Sequence, residues 1–300
     1  MTNNQKNYLT IDIGGSSIKS ALLDEKGGIV ERCSSIPVPY NKEDYVQTVF
    51  ELVEKFKKKI KGVAVSTTGI IDTDSGAYLQ SGSFPFMIGG SLKDLIEKKY
   101  LLPTSVVNDG QATLYGEMWA GKLKNRQHAI LVTIGTGIVC GLLINGRPYL
   151  GAHGKAGELS SITQDEHEGY FPVKYSATHF IERASRLIGL EEPDGRQVFE
   201  EIHKGNEELD RLFTDYCHLV SLLLFNLQVT LDPELIVISG GISHQEMFIN
   251  ELRKQCKEIY KAKSEAYLGP GHLEITASAF KSDANLLGAL CFYKVQYETE

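Results

Sequence analysis

Apolar and polar positions along this chain switch between two periods, and the switches mark its elements. Residues 8–13 are an apolar-rich run with one carboxylate near its end and two glycines after it, which predicts a strand and a tight turn. Residues 18–23 read as a second strand, and DEKGG turns the chain into a third around Ile29. Over 41–60 the period becomes helical: Val46, Val49, Phe50, Val53, Phe56 and Ile60 recur on one face. Lys57, Lys58, Lys59 and Lys61 then fall at the helix end, where a solvated cluster complements the dipole. A strand at 62–66, a TTGIID loop, a helix near 92–100, a strand at 105–107 and a helix after Asp109 follow.

Then the opening pattern returns. Residues 129–134 form a strand, followed by a glycine turn, a strand at 138–144, an Asn145-Gly146 hairpin turn and a third strand at 147–150. Helices are predicted around 178–189, 195–204 and 207–230. A strand at 235–239, a helix from His244, a strand at 273–276 and a last helix from Asp283 complete the chain. The fold class is therefore α/β, with two copies of a strand, glycine turn, strand, tight turn, strand unit. The copies start about 120 residues apart, too far for a solenoid, and predict two similar domains facing each other across a cleft. The expected boundaries are 1–118 for the first domain, with a C-terminal helix at about 285–300 packed back on it, and 119–284 for the larger second domain.

Length agrees with two domains, at 300 residues. A net charge of −7 implies no basic face, so nucleic acid and anionic membrane are not expected partners. The polar start MTNNQKN lacks the apolar run of a signal peptide. The least charged stretch, 129–146, contains Gly135, Gly137 and Gly141 and is shorter than the ~20 residues of a spanning helix. Cys33, Cys140, Cys217, Cys256 and Cys291 are scattered without CxxC spacing, which argues against disulfides or a zinc cluster and for a cytoplasmic location.

Candidate chemistry sits where strands end. In Asp12-Ile13-Gly14-Gly15-Ser16-Ser17-Ile18-Lys19, a carboxylate precedes two residues without side-chain bulk, so backbone and hydroxyls can approach a phosphate. Asp12 is placed to position Mg²⁺ through water, with Lys19 near the phosphates. Taken alone, such a DxGG reads as a plain hairpin. The second turn, Gly135-Thr136-Gly137, is followed by a strand rather than a helix and by no GK[ST], so it is neither a dinucleotide fingerprint nor a Walker loop. Two such turns in register read as paired phosphate clamps. Between them, Asn108-Asp109 ends a strand: Asp109 suits a base for an attacking hydroxyl, and Asn108 suits a sugar hydroxyl. The plainer reading is an Asp N-cap on the next helix. Glu158, in GAHGKAGELSS, suits two adjacent sugar hydroxyls; the plainer reading is a surface-loop acid. His153 and His167, near Glu158, Glu166 and Glu168, match no standard metal spacing. Gly240-Gly241, after a buried strand, let a flat adenine or ribose approach; they also suit a plain tight strand-to-helix turn, and the two readings are compatible.

Together these residues resemble the ROK family of bacterial sugar kinases, on the actin-like ATPase (ribonuclease H-like) fold. The resemblance runs from Tyr8 to Ala289 and aligns the family's phosphate motifs with Asp12–Lys19 and Gly135–Gly137. It aligns the sugar-binding Asn and catalytic Asp with Asn108 and Asp109, and the AGE loop with Ala156-Gly157-Glu158. The adenosine-site glycines align with Gly240 and Gly241, the LLGA with Leu286–Ala289, and the family's loop with Thr68-Gly69-Ile70-Ile71-Asp72. The resemblance implies ATP and Mg²⁺ as cofactors, Gly69, Asn108, Asp109 and Glu158 on the sugar, and a homodimer.

The departures bear on substrate. Ser160 and Ser161 stand where the family has Gly-His, and 162–176 holds no cysteine, so no structural zinc is expected. Ser83 and Met87 replace the usual Asn and Trp of the sugar-side loop. The zinc-free pattern, with KYSAT and LFNLQVTLDP, is most similar to β-glucoside kinases, which phosphorylate the 6-hydroxyl of cellobiose or related glucosides. Loss of the His opens space for an aglycone near Ser161. Glucose and N-acetylmannosamine are alternative substrates. A sugar-sensing ROK regulator would need a helix-turn-helix segment, for which the first strand at Tyr8 leaves no room. An actin-like ATPase would need neither the AGE loop nor the Asn108-Asp109 pair.

Overall fold

The computed structural model describes residues 7–162, 172–263, 273–280 and 283–298. The chain forms two compact units. The first comprises Met1–Lys124, Leu150–Lys155 and Ser282–Glu300, and the second Asn125–Tyr149 and Ala156–Lys281.

The first unit opens with β1 (Asn7–Ile13), β2 (Ser17–Leu23), β3 (Ile29–Arg32) and a short β4 (Ile36–Pro37). Helix α1 (Lys42–Phe56) starts where the Asn41 side chain accepts the Asp44 N–H, with Glu43 and Asp44 favoured in its first turn by the dipole. Its Tyr45, Val49, Leu52, Val53 and Phe56 are buried, each worth about 1.5–3 kcal/mol of transfer free energy. The predicted helix over 41–60 stops at Phe56, because Ile60 is taken by β5 (Ile60–Thr67), where it pairs with Asn7. TTGIID is not all loop either: β6 (Ile70–Asp72) pairs with β7 (Ala77–Gln80), and Ile71 is buried beneath the ribbon. Next come α2 (Leu92–Tyr100), β8 (Thr104–Asn108) and α3 (Asp109–Ala120). The sheet order is β3-β2-β1-β5-β8, with β1, β5 and β8 parallel and β2 antiparallel to β1. All seven residues of β1 are buried, as a central strand covered on both faces requires.

The second unit repeats that order. It contains β9 (Ala129–Ile134), β10 (Ile138–Ile144) and β11 (Arg147–Tyr149), then α4 (Pro172–Tyr175), α5 (Ala177–Leu187), α6 (Gly195–His203) and α7 (Glu207–Leu231). Strand β12 (Leu235–Ser239), α8 (Glu246–Lys263) and β13 (Ile275–Ala277) follow. Here the sheet runs β11-β10-β9-β12-β13, again with three parallel strands on one side. Helix α8 begins two residues later than predicted from His244, because Gly241–His244 is a 3-10 turn. The last strand is Ile275–Ala277 rather than 273–276, set by its pairing with Ile236–Ile238. The five cysteines are all unpaired.

The chain closes with α9 (Ala284–Tyr297), which belongs to the first unit and packs against α3, β5 and β1. The glycine of LLGA explains the close approach. A Cβ on Gly288 would stand 1.6 Å from the Ala112 carbonyl oxygen, so the two helix backbones touch there.

Candidate active site

In the first unit, register aligns Ile13 with Thr67 and Thr67 with Asn108. The C-terminal ends of three parallel strands therefore form one edge, the place where open α/β sheets bind ligands. At the first end, the Gly14 N–H donates to the Ser17 carbonyl at 3.0 Å and closes the turn. Antiparallel pairing then sets Lys19 opposite Asp12. Asp12 is only 6% exposed, and its Oδ1 accepts Ser66 Oγ at 3.1 Å and Asn285 Nδ2 at 3.0 Å. Burial raises its pKa above the usual carboxylate value, opposed by the bonds from Asn285 and Ser66 and by the charge of Lys19. Among the described residues no three His, Cys, Asp or Glu side chains group into a metal site. A single anchored carboxylate suits Mg²⁺, which keeps waters and arrives with a nucleotide.

At the third strand end, Asn108 is the cap of α3. Its Oδ1 accepts the Gly110 and Gln111 N–H groups at 2.9 and 3.2 Å, and its Nδ2 donates to the Gly69 carbonyl at 2.7 Å. The predicted Asp cap is thus an Asn cap, and Asp109 is the first helical residue, half-buried, with Oδ1 on the Gly110 N–H. Gly69 needs to be glycine: its φ is +110°, and a Cβ would lie 2.6 Å from the Gln80 carbonyl. The Thr113 hydroxyl lies 2.6 Å from Asn285 Oδ1 and 3.0 Å from the Asp109 carbonyl, sharing one proton between them. Asp12, Asn285, Thr113 and the backbone of Asp109 are therefore one chain of contacts.

The second unit has a matching edge at β9 and β12. The Gly135 N–H donates to the Gly137 carbonyl at 2.9 Å, and the Gly135 carbonyl accepts Ser176 Oγ at 3.1 Å. Gly240 (φ +94°) lies against β9, where a Cβ would meet the Ile134 carbonyl at 2.0 Å. Gly135 and Gly241 differ: no described atom lies within 4 Å of a Cβ built on either. Both border a cavity of about 490 Å³ whose wall includes Thr178, Ile181, Arg196 and Phe199, within the usual range for small-molecule sites. Apolar walls with one guanidinium suit a flat heteroaromatic ring.

Glu158 lies in the same unit. Gly157 before it (φ +92°) is fixed to β10: the Cys140 N–H donates to its carbonyl at 2.8 Å, and a Cβ would stand 1.9 Å from the Cys140 oxygen. Ser160 accepts the Ile138 N–H at 3.0 Å and reaches the Ile138 carbonyl at 2.8 Å, holding the following turn to the strand. Glu158 is half-buried between these anchors, and burial raises its pKa.

The structure thus places Asp12, Gly14, Gly15, Ser16, Lys19, Gly69, Asn108 and Asp109 on the first unit, with Gly69 and Asn108 directly bonded. It places Gly135, Thr136, Gly137, Glu158, Gly240 and Gly241 on the second. His153 belongs to the first unit and Glu158 to the second, while Glu166, His167 and Glu168 lie outside the described residues. Sequence reasoning missed Ser66, Thr113 and Asn285. Asn285 is 273 positions from Asp12, and only its place just before LLGA marked it. Arg196 and Phe199 were missed as well, because in sequence they belong to an ordinary amphipathic helix.

The chain resembles known proteins over nearly its whole length. A β-glucoside kinase of Listeria monocytogenes is 27% identical, covering 93% of this chain and 94% of that protein. A glucokinase of Halalkalibacterium halodurans is 26% identical over 96% of this chain and 95% of its own. Among solved structures, a ROK family protein from Streptococcus pneumoniae in complex with sucrose superposes with a TM-score of 0.85 at 28% identity, covering 97% and 98% of the two chains. A ROK glucokinase from Streptomyces griseus in complex with glucose and AMPPNP shares the fold, with a TM-score of 0.81 at 20% identity and 95% and 98% coverage. The repeated five-strand order is that of the actin-like ATPase fold these kinases share. With the ROK family pattern matching residues 8–296, the chain belongs to the ROK family.

Proposed function

We propose that this chain moves the γ-phosphate of ATP onto a sugar hydroxyl, with the 6-hydroxyl of a β-glucoside such as cellobiose as the acceptor. The observation that carries the reading is the Asn108–Asp109 corner. A carboxylate opens a helix at a parallel-strand edge, on a turn clamped by the Asn108 bond to Gly69. A base so fixed can meet a hydroxyl without reorganising.

In this reading the adenosine of ATP occupies the cavity beside Gly241, and backbone N–H groups of the two glycine turns hold its phosphates. Asn108 and Glu158 orient the sugar. Asp109 takes the proton as the hydroxyl oxygen forms its bond to γ-phosphorus and the bond to the bridging oxygen of ADP breaks. Mg²⁺, when bound, neutralises charge on the phosphates, and Asp12 would hold it through water. Positioning and charge stabilisation supply most of the rate. Similarity to a β-glucoside kinase supports the acceptor, and similarity to a glucokinase makes glucose the second reading.

The test is coupled ADP release with Mg-ATP against glucose, cellobiose, arbutin, salicin, N-acetylmannosamine and N-acetylglucosamine. Strong turnover on β-glucosides and weak turnover on free monosaccharides supports the proposal. Turnover on a monosaccharide alone keeps the kinase and discards the glucoside. Asp109→Asn should keep the thermal midpoint and lose about 10²–10⁴ in kcat, the usual worth of a general base. Activity near wild type would remove Asp109 from that role.

A further inference from the structure

A second cavity, of about 620 Å³, lies within the first unit. Its wall includes Ile70, Leu79, Gln80, Gln111, Leu150 and His153. None of these residues has a part in the phosphoryl transfer described above. The volume falls in the range of about 300–1,000 Å³ that small-molecule sites occupy.

Its position ties it to the sugar-holding residues. Ile70 follows Gly69 in the chain, and Gly69 presses on the Gln80 carbonyl. Gln111 is two residues beyond Asp109, and its own N–H bonds Asn108 Oδ1. On a helix, two residues turn the side chain by roughly 200°, so Gln111 and Asp109 serve different directions from one turn. The cavity therefore starts where the Asn108–Gly69 clamp ends.

Its chemistry is that of a carbohydrate or aryl site. Leu79 is 54% exposed on the β6–β7 ribbon, and Leu150 adds a second apolar surface. Gln111 Oε1 is buried with no hydrogen-bond partner among the described residues. A buried amide oxygen without a partner carries an uncompensated desolvation cost, which a ligand hydroxyl donated to it would remove. A planar amide beside exposed aliphatic side chains offers a sugar ring both a donor–acceptor pair and an apolar face.

We propose that this cavity receives the aglycone of the β-glucoside, the second ring of cellobiose or the aryl group of an aryl glucoside, with Gln111 bonding its hydroxyls and Leu79 and Leu150 against its face. The inference rests on the β-glucoside reading above and gives that reading a location within the first unit. It makes the free monosaccharide a substrate that leaves the cavity empty.

The test uses the full chain with Leu79→Trp, which fills the cavity from an exposed position, Gln111→Leu, which removes the amide at similar volume, and Ser161→His. Each is assayed for kcat/KM on cellobiose and on glucose, with thermal unfolding to confirm the fold. Leu79→Trp and Gln111→Leu should each lower the cellobiose-to-glucose ratio of kcat/KM at least about 10-fold, the scale of one lost hydrogen bond or a blocked ring. Ser161→His should leave the ratio unchanged. An unchanged ratio in both cavity variants, or equal losses on the two sugars, overturns the cavity. A ratio that falls in Ser161→His alone moves the aglycone to that serine. A wild-type chain that accepts glucose and no β-glucoside overturns the acceptor reading itself, whereas a wild type that accepts β-glucosides while both cavity variants match it overturns only the location.

Discussion

The two glycine turns are copies in topology and opposites in electrostatics. Each joins the first two strands of a sheet with the same order, and each follows a buried strand. Two residues before the first glycine, the first copy has Asp12 and the second has Thr133. Parallel pairing gives each a serine opposite, Ser66 and Ser239. In the first copy that geometry supports a buried carboxylate, held by Ser66 and Asn285. In the second no charge stands at that place, and the turn is braced by neutral donors, Ser176 Oγ and the Thr178 N–H, on the Gly135 carbonyl. One hairpin topology thus occurs in two chemical settings. The first copy holds a buried carboxylate, and the second holds a backbone carbonyl with neutral donors.

That contrast breaks most sharply at Asp12. Asp12→Asn keeps the shape and removes the charge. It should cut kcat about 10²–10³-fold, as loss of a preorganised electrostatic group does, with fold stability kept or raised because a buried carboxylate is gone. Thr133→Val, at the equivalent position of the other turn, should stay within about 3-fold of wild type by the same logic. Steady-state kinetics and thermal melts on the pair decide it. Equal losses in the two variants would erase the proposed division of roles.

A middle-sized effect sharpens the comparison through pH. Asn285→Ala removes one of two donors to Asp12, so the raised pKa of that carboxylate rises further. The acid limb of kcat should therefore move to higher pH, with kcat lower by about 10-fold at neutral pH, the worth of a hydrogen bond to a charged group. The sign for stability follows. A carboxyl with a folded-state pKa above its unfolded value contributes stability that is present below the unfolded pKa and lost as pH rises through the folded one. Asn285→Ala widens that window, so its melting point should fall more steeply than wild type as pH rises from about 4. A pH profile parallel to wild type would leave Asn285 a purely structural contact.

How much of this was legible beforehand depended on the range of the contact. The hairpins, the parallel strands and the Asn108-Asp109 corner are local patterns, and hydrophobic period with glycine placement marks them. The end of α1 was misplaced because Ile60 fits a helical face equally well, and only pairing with Asn7 makes it a strand. The β6–β7 ribbon was overlooked because three residues are too few to establish an alternation. Asn285 carried no signal of its role: its bond to Asp12 exists only once α9 returns to the first sheet. The glycines divide in the same way. Gly240, which reads as a ligand glycine or a tight turn, and Gly288, which reads as a motif glycine, both lie where another backbone leaves no room for a Cβ, while Gly135 and Gly241 have open space. Sequence marks the residue type, and packing decides which reason applies.

The smallest expected effect tests the neutral side of the comparison. Ser176 is buried, caps α5 by accepting the His179 N–H at 3.1 Å, and donates to the Gly135 carbonyl. Ser176→Ala removes the cap, worth about 1 kcal/mol of stability, and one of two braces on the turn. The Thr178 N–H still reaches Gly135 at 3.3 Å, so the turn should loosen rather than open. KM for ATP should rise about 3-fold with kcat and its pH profile unchanged, because no charge is involved and a weakened neutral hydrogen bond is worth about 0.5–1 kcal/mol. A shift in the pH profile, or a loss in kcat as large as that of Asn285→Ala, would mean the second turn also works by holding a charge. The two copies would then differ in residue type but not in role.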